Sequence, residues 1–159
     1  MQIKIIFVGK LKEKYLQQGV SDYLKRLKKY ARIEILEVMD EKIPEKASPA
    51  REDICTAKEG ERVLKLLAPD SFFIVLALEG SLLSSEELAA KLEEYALGGK
   101  SKLTFVVGGA LGLSPKVKER ADLLLSFSPL TFPHQLMRLI LLEQLYRAFK
   151  IIRSEPYHR

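Results

Sequence analysis

Cysteine is almost missing from this chain: 159 residues contain one, Cys55. A single thiol forms neither an internal disulfide nor a multi-cysteine zinc site, so the expectation is a chain that folds without a staple in a reducing, cytoplasmic setting. Histidine is nearly as scarce, with only His134 and His158. Two imidazoles without cysteine or paired-carboxylate partners make a poor metal site, and none is expected. No Ser/His/Asp spacing suggests a hydrolase. Long apolar runs are missing too. The longest stretch without a charged side chain, Leu123 to Met137, is broken by Pro129 and Pro133 and cannot span a bilayer. The opening MQIKIIFVGK holds too few apolar residues before Gly9 and Lys10 for a signal peptide. Neither a secreted nor a membrane protein is expected. Repeats, low-complexity tracts and linkers are also lacking.

What remains is an ordinary globular composition. Hydrophobic residues make up 47% and charged residues 30%, a balance that argues against disorder. The length suits a single domain over residues 1–159, burying roughly 70% of the surface its unfolded chain exposes. Net charge is +5, unevenly spread. Residues 1–32 carry nine Lys/Arg against two acids, residues 33–133 twelve against seventeen, and residues 134–159 five against two. Basic ends around an acidic middle suit a surface that meets phosphate. Equally, Lys25, Arg26, Lys28 and Lys29 read as the solvated face of a helix.

Strand and helix patterns alternate. Gln2–Val8 reads as a buried strand closed by Gly9, and a helix with apolar Leu16, Val20, Tyr23, Leu24 and Leu27 follows from Glu13. Ile33–Val38 alternates as a half-buried strand, and residues 39–50 read as a mobile loop. Glu52–Leu67 gives a helix ended by Pro69, and Ser71–Leu78 a strand. Ser84 and Glu87 form a capping box for a third helix, which Gly98-Gly99 terminates. Leu103–Val107 is a strand, Ser114-Pro115 caps a short helix, Leu123–Phe127 is the last strand and His134–Arg153 a long helix. Five alternations imply an α/β fold: a mostly parallel sheet with helices on both faces. The last helix is apolar beyond one stripe. A neighbouring helix or a second subunit must cover the excess, and a homodimer is expected.

In such sheets ligands bind outside the carboxyl ends of strands. Three exits stand out: Leu76 to Gly80, Val107 to Ser114, and Phe127 to His134. Glycines at a strand exit let the backbone approach a flat ligand, and a side chain at Gly108 is expected to fill the ligand's space. The segment GGALGLS lacks the G-x-G-x-x-G spacing, and no Lys-Ser or Lys-Thr follows it, which argues against ATP or NAD chemistry. At the end of the chain, an aromatic beside a histidine and an arginine, Tyr157-His158-Arg159, suits the holding of unpaired RNA bases; a frayed terminus is the plainer reading.

GGALGL, LSFSPLTFPHQLMR, LEQLYRAFKI and the closing PYHR, in that order, resemble the ribosomal RNA large-subunit methyltransferase H family of the SPOUT superfamily. The similarity covers essentially the whole chain. It implies a homodimer with a C-terminal deep trefoil knot, and S-adenosylmethionine bound in that knot. The implied substrate is N3 of a pseudouridine in large-subunit rRNA, methylated on the assembled ribosome. Carried over by position, the cofactor contacts fall on Leu76, Gly108, Phe127, Ser128, Pro129, Leu130, Thr131 and Phe132. Leu76, Leu130 and Phe132 would sandwich adenine. Where the family often carries an acid after Leu76 this chain has Ala77, so contacts there are expected from backbone. His134, Tyr157, His158 and Arg159 are the candidate catalytic groups, and the resemblance does not say which removes the N3 proton. The four cations of the first helix would hold rRNA phosphates. A non-catalytic ribosome- or RNA-binding factor, or more remotely a small nucleotide-binding regulator, shares the charge layout. Neither requires the LTFP loop or the YHR tail.

Overall fold

The structure, a computed structural model, describes residues 1–157. Among them the chain forms β1 (Gln2–Val8), α1 (Lys14–Leu27), β2 (Arg32–Val38), α2 (Pro49–Leu64), β3 (Phe72–Leu82), α3 (Ser85–Leu97), β4 (Lys102–Val107), α4 (Pro115–Glu119), β5 (Leu123–Ser126) and α5 (His134–Ile152). The strands make one sheet in the order β2-β1-β4-β3-β5, with every neighbouring pair parallel. Parallel pairing requires crossovers, which the helices supply.

Both faces are covered. Ile3, Ile5, Phe7, Leu103, Phe105 and Val107 pack with buried residues of α1, α3 and α5. Alternate strand residues Ile6, Val8, Val75 and Val106 pack on the other face with Val63 of α2 and Val117 of α4. The apolar excess of α5 is largely absorbed within the chain, since α1 and α3 both lie against it. Leu141, Leu142 and Leu145 are fully buried, each worth about 2 kcal/mol of transfer free energy. Aromatic contacts extend the same layer, with Tyr30 stacked on Phe149 at 5.6 Å and Tyr23 edge-on to Tyr146 at 5.9 Å.

The capping box stands as expected: Ser84 Oγ accepts from the Glu87 amide, and the Glu87 carboxylate accepts from the Ser84 amide. Elsewhere the local structure departs from expectation at α2, β3 and the α4 cap, each for a local reason. Helix α2 begins at Pro49 rather than Glu52, because Ser48 Oγ accepts from the Arg51 amide and proline suits the first helical position. Strand β3 runs past Leu78 to Leu82 through a bulge: Leu76 and Ser81 both pair with Leu125. Gly80 permits this, since a Cβ there would stand 2.7 Å from the backbone of Leu124 and Leu125. Ser114 occupies the cap position of α4 without a capping hydrogen bond; its buried hydroxyl is packed toward Gly60 and is unpartnered among the described residues. No described helix is long and apolar enough to cross a membrane.

Candidate functional site

The bulge of β3, where its first run of pairing ends, and the carboxyl ends of β4 and β5 open into one cavity of about 740 Å³. Residues 76–79 of the β3 bulge form one wall and residues 107–113 another. The segment from Leu125 to His134, apart from Pro129, forms the third, with Lys118 and Met137 at the sides. A mostly apolar hollow of this size, edged by loop backbone, suits a nucleoside-sized ligand.

Each wall has its own cause. After β4 the chain doubles back: the Gly112 amide donates to the Gly109 carbonyl at 3.1 Å, and Gly112 takes a φ of 77° that glycine tolerates best. This corrects the expectation for Gly108. A Cβ at that residue would stand 2.7 Å from the carbonyl carbon of Gly112, so the space is taken by the loop's own backbone rather than by a ligand. After β5, Ser126 Oγ donates to the Ser128 carbonyl at 3.1 Å and the Leu130 amide donates to Ser128 Oγ at 2.9 Å. These bonds order a loop already stiffened by Pro129 and Pro133, leaving Leu130 71% exposed at the cavity.

His134 is the first residue of α5 and lies on the cavity wall. Burial, and secondly the Arg138 cation, hold its imidazole below the usual histidine range, so it is neutral at pH 7. Arg138 sits one turn on and is buried. Its guanidinium donates to the Gly9 carbonyl at 2.7 Å, to the Val8 carbonyl at 3.3 Å and to Glu37 at 2.5 Å, over the Phe7 ring. Glu37 also accepts from the Leu11 amide, and the Lys12 amide donates to Gln135. The loop after β1 is thereby tied to the start of α5. Sequence reasoning missed Arg138; the available signal was a cation four residues after His134, flanked by apolar Leu136, Met137, Leu139 and Ile140.

Of the residues carried over to the cofactor, Leu76, Gly108, Phe127, Ser128, Leu130, Thr131 and Phe132 share the cavity wall, and Pro129 lies outside it. Tyr157 is not brought to the cavity. Its hydroxyl donates to Glu143 at 3.1 Å and lies 3.1 Å from the Tyr23 hydroxyl, and its ring meets Tyr146 edge-on at 4.9 Å. Burial and the Glu143 carboxylate raise its phenol above the usual range. Glu143 lies nine residues beyond His134, roughly 13 Å along the helix. Tyr157 is thus an anchored ring rather than a frayed end. His158 and Arg159 lie outside the described residues.

The four cations at the end of α1, Lys25 and Arg26 in its last turn and Lys28 and Lys29 just beyond it, are exposed but unlike one another. Arg26 pairs with Asp22 at 2.8 Å and lies over Tyr23, and Lys29 is 3.6 Å from Glu155. Lys25 and Lys28 have no ion pair among the described residues. The described residues contain no group of three His, Cys, Asp or Glu placed to hold a metal.

A family model described as a predicted SPOUT methyltransferase matches residues 1–158. The ribosomal RNA large subunit methyltransferase H of Carboxydothermus hydrogenoformans is 59% identical over 159 residues, covering 100% of both chains. The protein of the same name from Bacillus pumilus is 57% identical over the same span, again covering 100% of both. Among solved structures, a probable methyltransferase from Bordetella pertussis Tohama I aligns with a TM-score of 0.55 at 15% identity, over 92% of this chain and 95% of that one. A probable methylase family protein from Haemophilus influenzae Rd KW20 gives 0.53 at 15% identity, over 99% and 70%. The two structures share the fold, and the sequence relatives share far more. With an all-parallel sheet, one cavity at three strand exits and full-length identity above half, this chain belongs to the SPOUT methyltransferase family, in its ribosomal RNA large subunit methyltransferase H group.

Proposed function

We propose that this protein transfers a methyl group from S-adenosylmethionine to N3 of a pseudouridine in large-subunit rRNA, on the assembled ribosome and in the cytoplasm. The observation that carries the reading is the convergence of three strand exits on one cavity with a neutral histidine on its wall. Leu76, Leu130 and Phe132 would hold adenine between apolar surfaces, and loop backbone around Gly108 and residues 127–132 would meet its polar edge. When bound, the donor supplies a methyl carbon on a positively charged sulfur, open to in-line displacement. The chain's part is alignment and exclusion of water. An imidazole nitrogen of His134 takes the N3 proton, for which its depressed basicity leaves it free at pH 7. Arg159 would steady the imide anion. Lys25, Arg26, Lys28 and Lys29 would hold rRNA phosphates.

A homodimer completes this picture. Tyr157 is anchored away from its own cavity, and this supports a site shared between two protomers. The half-exposed apolar residues Leu136 and Ile140 of α5 support a contact there. Light scattering should give twice the 18.1 kDa chain mass. The path from β3 to α5 would be the deep trefoil knot of the family, a reading supported by the tight passage of β5 along Gly80.

The test is mass spectrometry of rRNA from a strain lacking this protein. One methyl group should be missing from a large-subunit pseudouridine and restored by the intact gene. An unchanged methylation pattern overturns the proposal.

A further inference from the structure

The cavity wall carries two formal charges, and they sit together. Glu79, on the β3 bulge, and Lys118, on α4, are joined Oε1 to Nζ at 2.6 Å, and both line the hollow. Thirty-nine residues separate them in sequence. Apart from His134, no other lining side chain titrates near neutral pH. The pair also has a definite location. Lys118 belongs to the helix layer of α2 and α4, whereas His134 starts α5, on the opposite face of the sheet.

An exposed ion pair does little for stability. The Lys118 side chain is 31% and the Glu79 side chain 54% exposed, so folding gives no strong reason to set both charges at the edge of an apolar hollow. A ligand with an α-amino acid end gives one. Its ammonium and carboxylate lie a few ångströms apart, with opposite signs, and need opposite partners. Inserted beside a fixed Glu–Lys pair, the ammonium meets Glu79 and the carboxylate meets Lys118, so all four charges keep an opposite neighbour. Charge-assisted hydrogen bonds of this kind are the strong ones. Lys118 keeps the Glu79 carboxyl below its usual range, so the acceptor stays ionised near neutral pH.

We propose that Glu79 and Lys118 form the subsite for the amino-acid end of the methyl donor, and so set the direction in which the donor lies across the cavity. The proposal rests on the reading of the cavity as a donor site. It orients the adenosine part toward the apolar walls and the amino-acid part toward α4, leaving His134 on the other face of the sheet for the acceptor base.

Calorimetry with three probes tests this on the full chain: S-adenosylmethionine, S-adenosylhomocysteine, and 5′-methylthioadenosine, which lacks the amino-acid end. Glu79→Gln and Lys118→Gln should each weaken binding of the first two by about tenfold, the cost of one charge-assisted bond. Affinity for 5′-methylthioadenosine should stay at the wild-type value, which also reports an intact cavity. Equal S-adenosylhomocysteine affinity in wild type and both variants overturns the subsite while leaving the donor site standing. So does a parallel loss for all three probes. If the wild-type protein binds none of them, the donor reading fails and takes the subsite with it.

Discussion

Arg138 donates a hydrogen bond to the carbonyl of Gly9 at 2.7 Å, joining residues 129 positions apart in the sequence. The same guanidinium reaches Glu37, so the exits of β1 and β2 and the start of α5 share one buried cation. Removing it would strand two carbonyls and a carboxylate. Arg138→Met should cost about 3–5 kcal/mol in denaturant unfolding. It should also move the acid limb of the methylation pH profile upward. His134 is held below its ordinary range partly by this cation, and activity falls as pH drops through the histidine's own pKa. Arg138→Lys keeps the charge and should leave that limb in place. A limb that stays put in the methionine variant separates Arg138 from His134.

Gly108 and Gly112, two of the three glycines of the β4 exit, should fail in different ways. Gly112→Ala meets open space but must adopt a positive φ, a strain of about 1 kcal/mol that leaves the loop's course intact. Gly108→Ala pushes a methyl into the backbone of Gly112 and must move the loop. Thermal melts and S-adenosylhomocysteine affinity measured on both should show the larger loss of affinity in Gly108→Ala. Equal losses would mean that loop shape does not matter to the cavity.

Anchor and tail are separable. Tyr157→Ala removes a ring packed on Tyr146 and should destabilise the fold by about 2 kcal/mol. Deleting His158 and Arg159 alone should leave the melting temperature unchanged and cut single-turnover methylation of saturating ribosomes steeply. A truncated protein that methylates at the wild-type rate removes both residues from the reaction.

Acid sensitivity should trace in part to Glu155. Its carboxyl is held down to about 2, first by the hydrogen bond from Lys150 and then by that from Tyr30. A depressed carboxyl stabilises the fold above its unfolded pKa and loses that contribution as pH falls toward the folded value. Melting temperatures of wild type and Glu155→Gln should therefore differ most above about pH 5 and converge as pH approaches about 2. A constant gap across that window would assign the difference to packing rather than ionisation.

At the end of α1, the paired and unpaired cations should behave differently. Lys25→Ala with Lys28→Ala removes two charges that have no ion pair among the described residues. It should weaken ribosome binding and flatten its salt dependence without changing stability. Arg26→Ala should also release Asp22 and uncover Tyr23, lowering stability slightly. Salt titrations of ribosome binding check both, and an unaltered slope in the double variant takes the helix off the rRNA.

Much of this protein is written in local patterns. The alternation of apolar strands with amphipathic helices determined the α/β class, because periods of two and 3.6 residues can each bury only one kind of surface. The Ser84–Glu87 box marked a helix start to the residue, since both of its bonds close within four positions. The three strand exits were legible for the same reason: each is a strand pattern that stops at glycine or proline. Tertiary structure alone decided how those exits meet. The order β2-β1-β4-β3-β5, the bulge that carries Glu79 to Lys118, and the span from Arg138 to Gly9 arise from packing between segments distant in sequence. The fate of Tyr157 was decided there too, because an aromatic near the end of a chain looks the same in sequence whether it stacks on a ligand or on Tyr146. Periodicity records which side of an element is buried, but not which neighbour buries it.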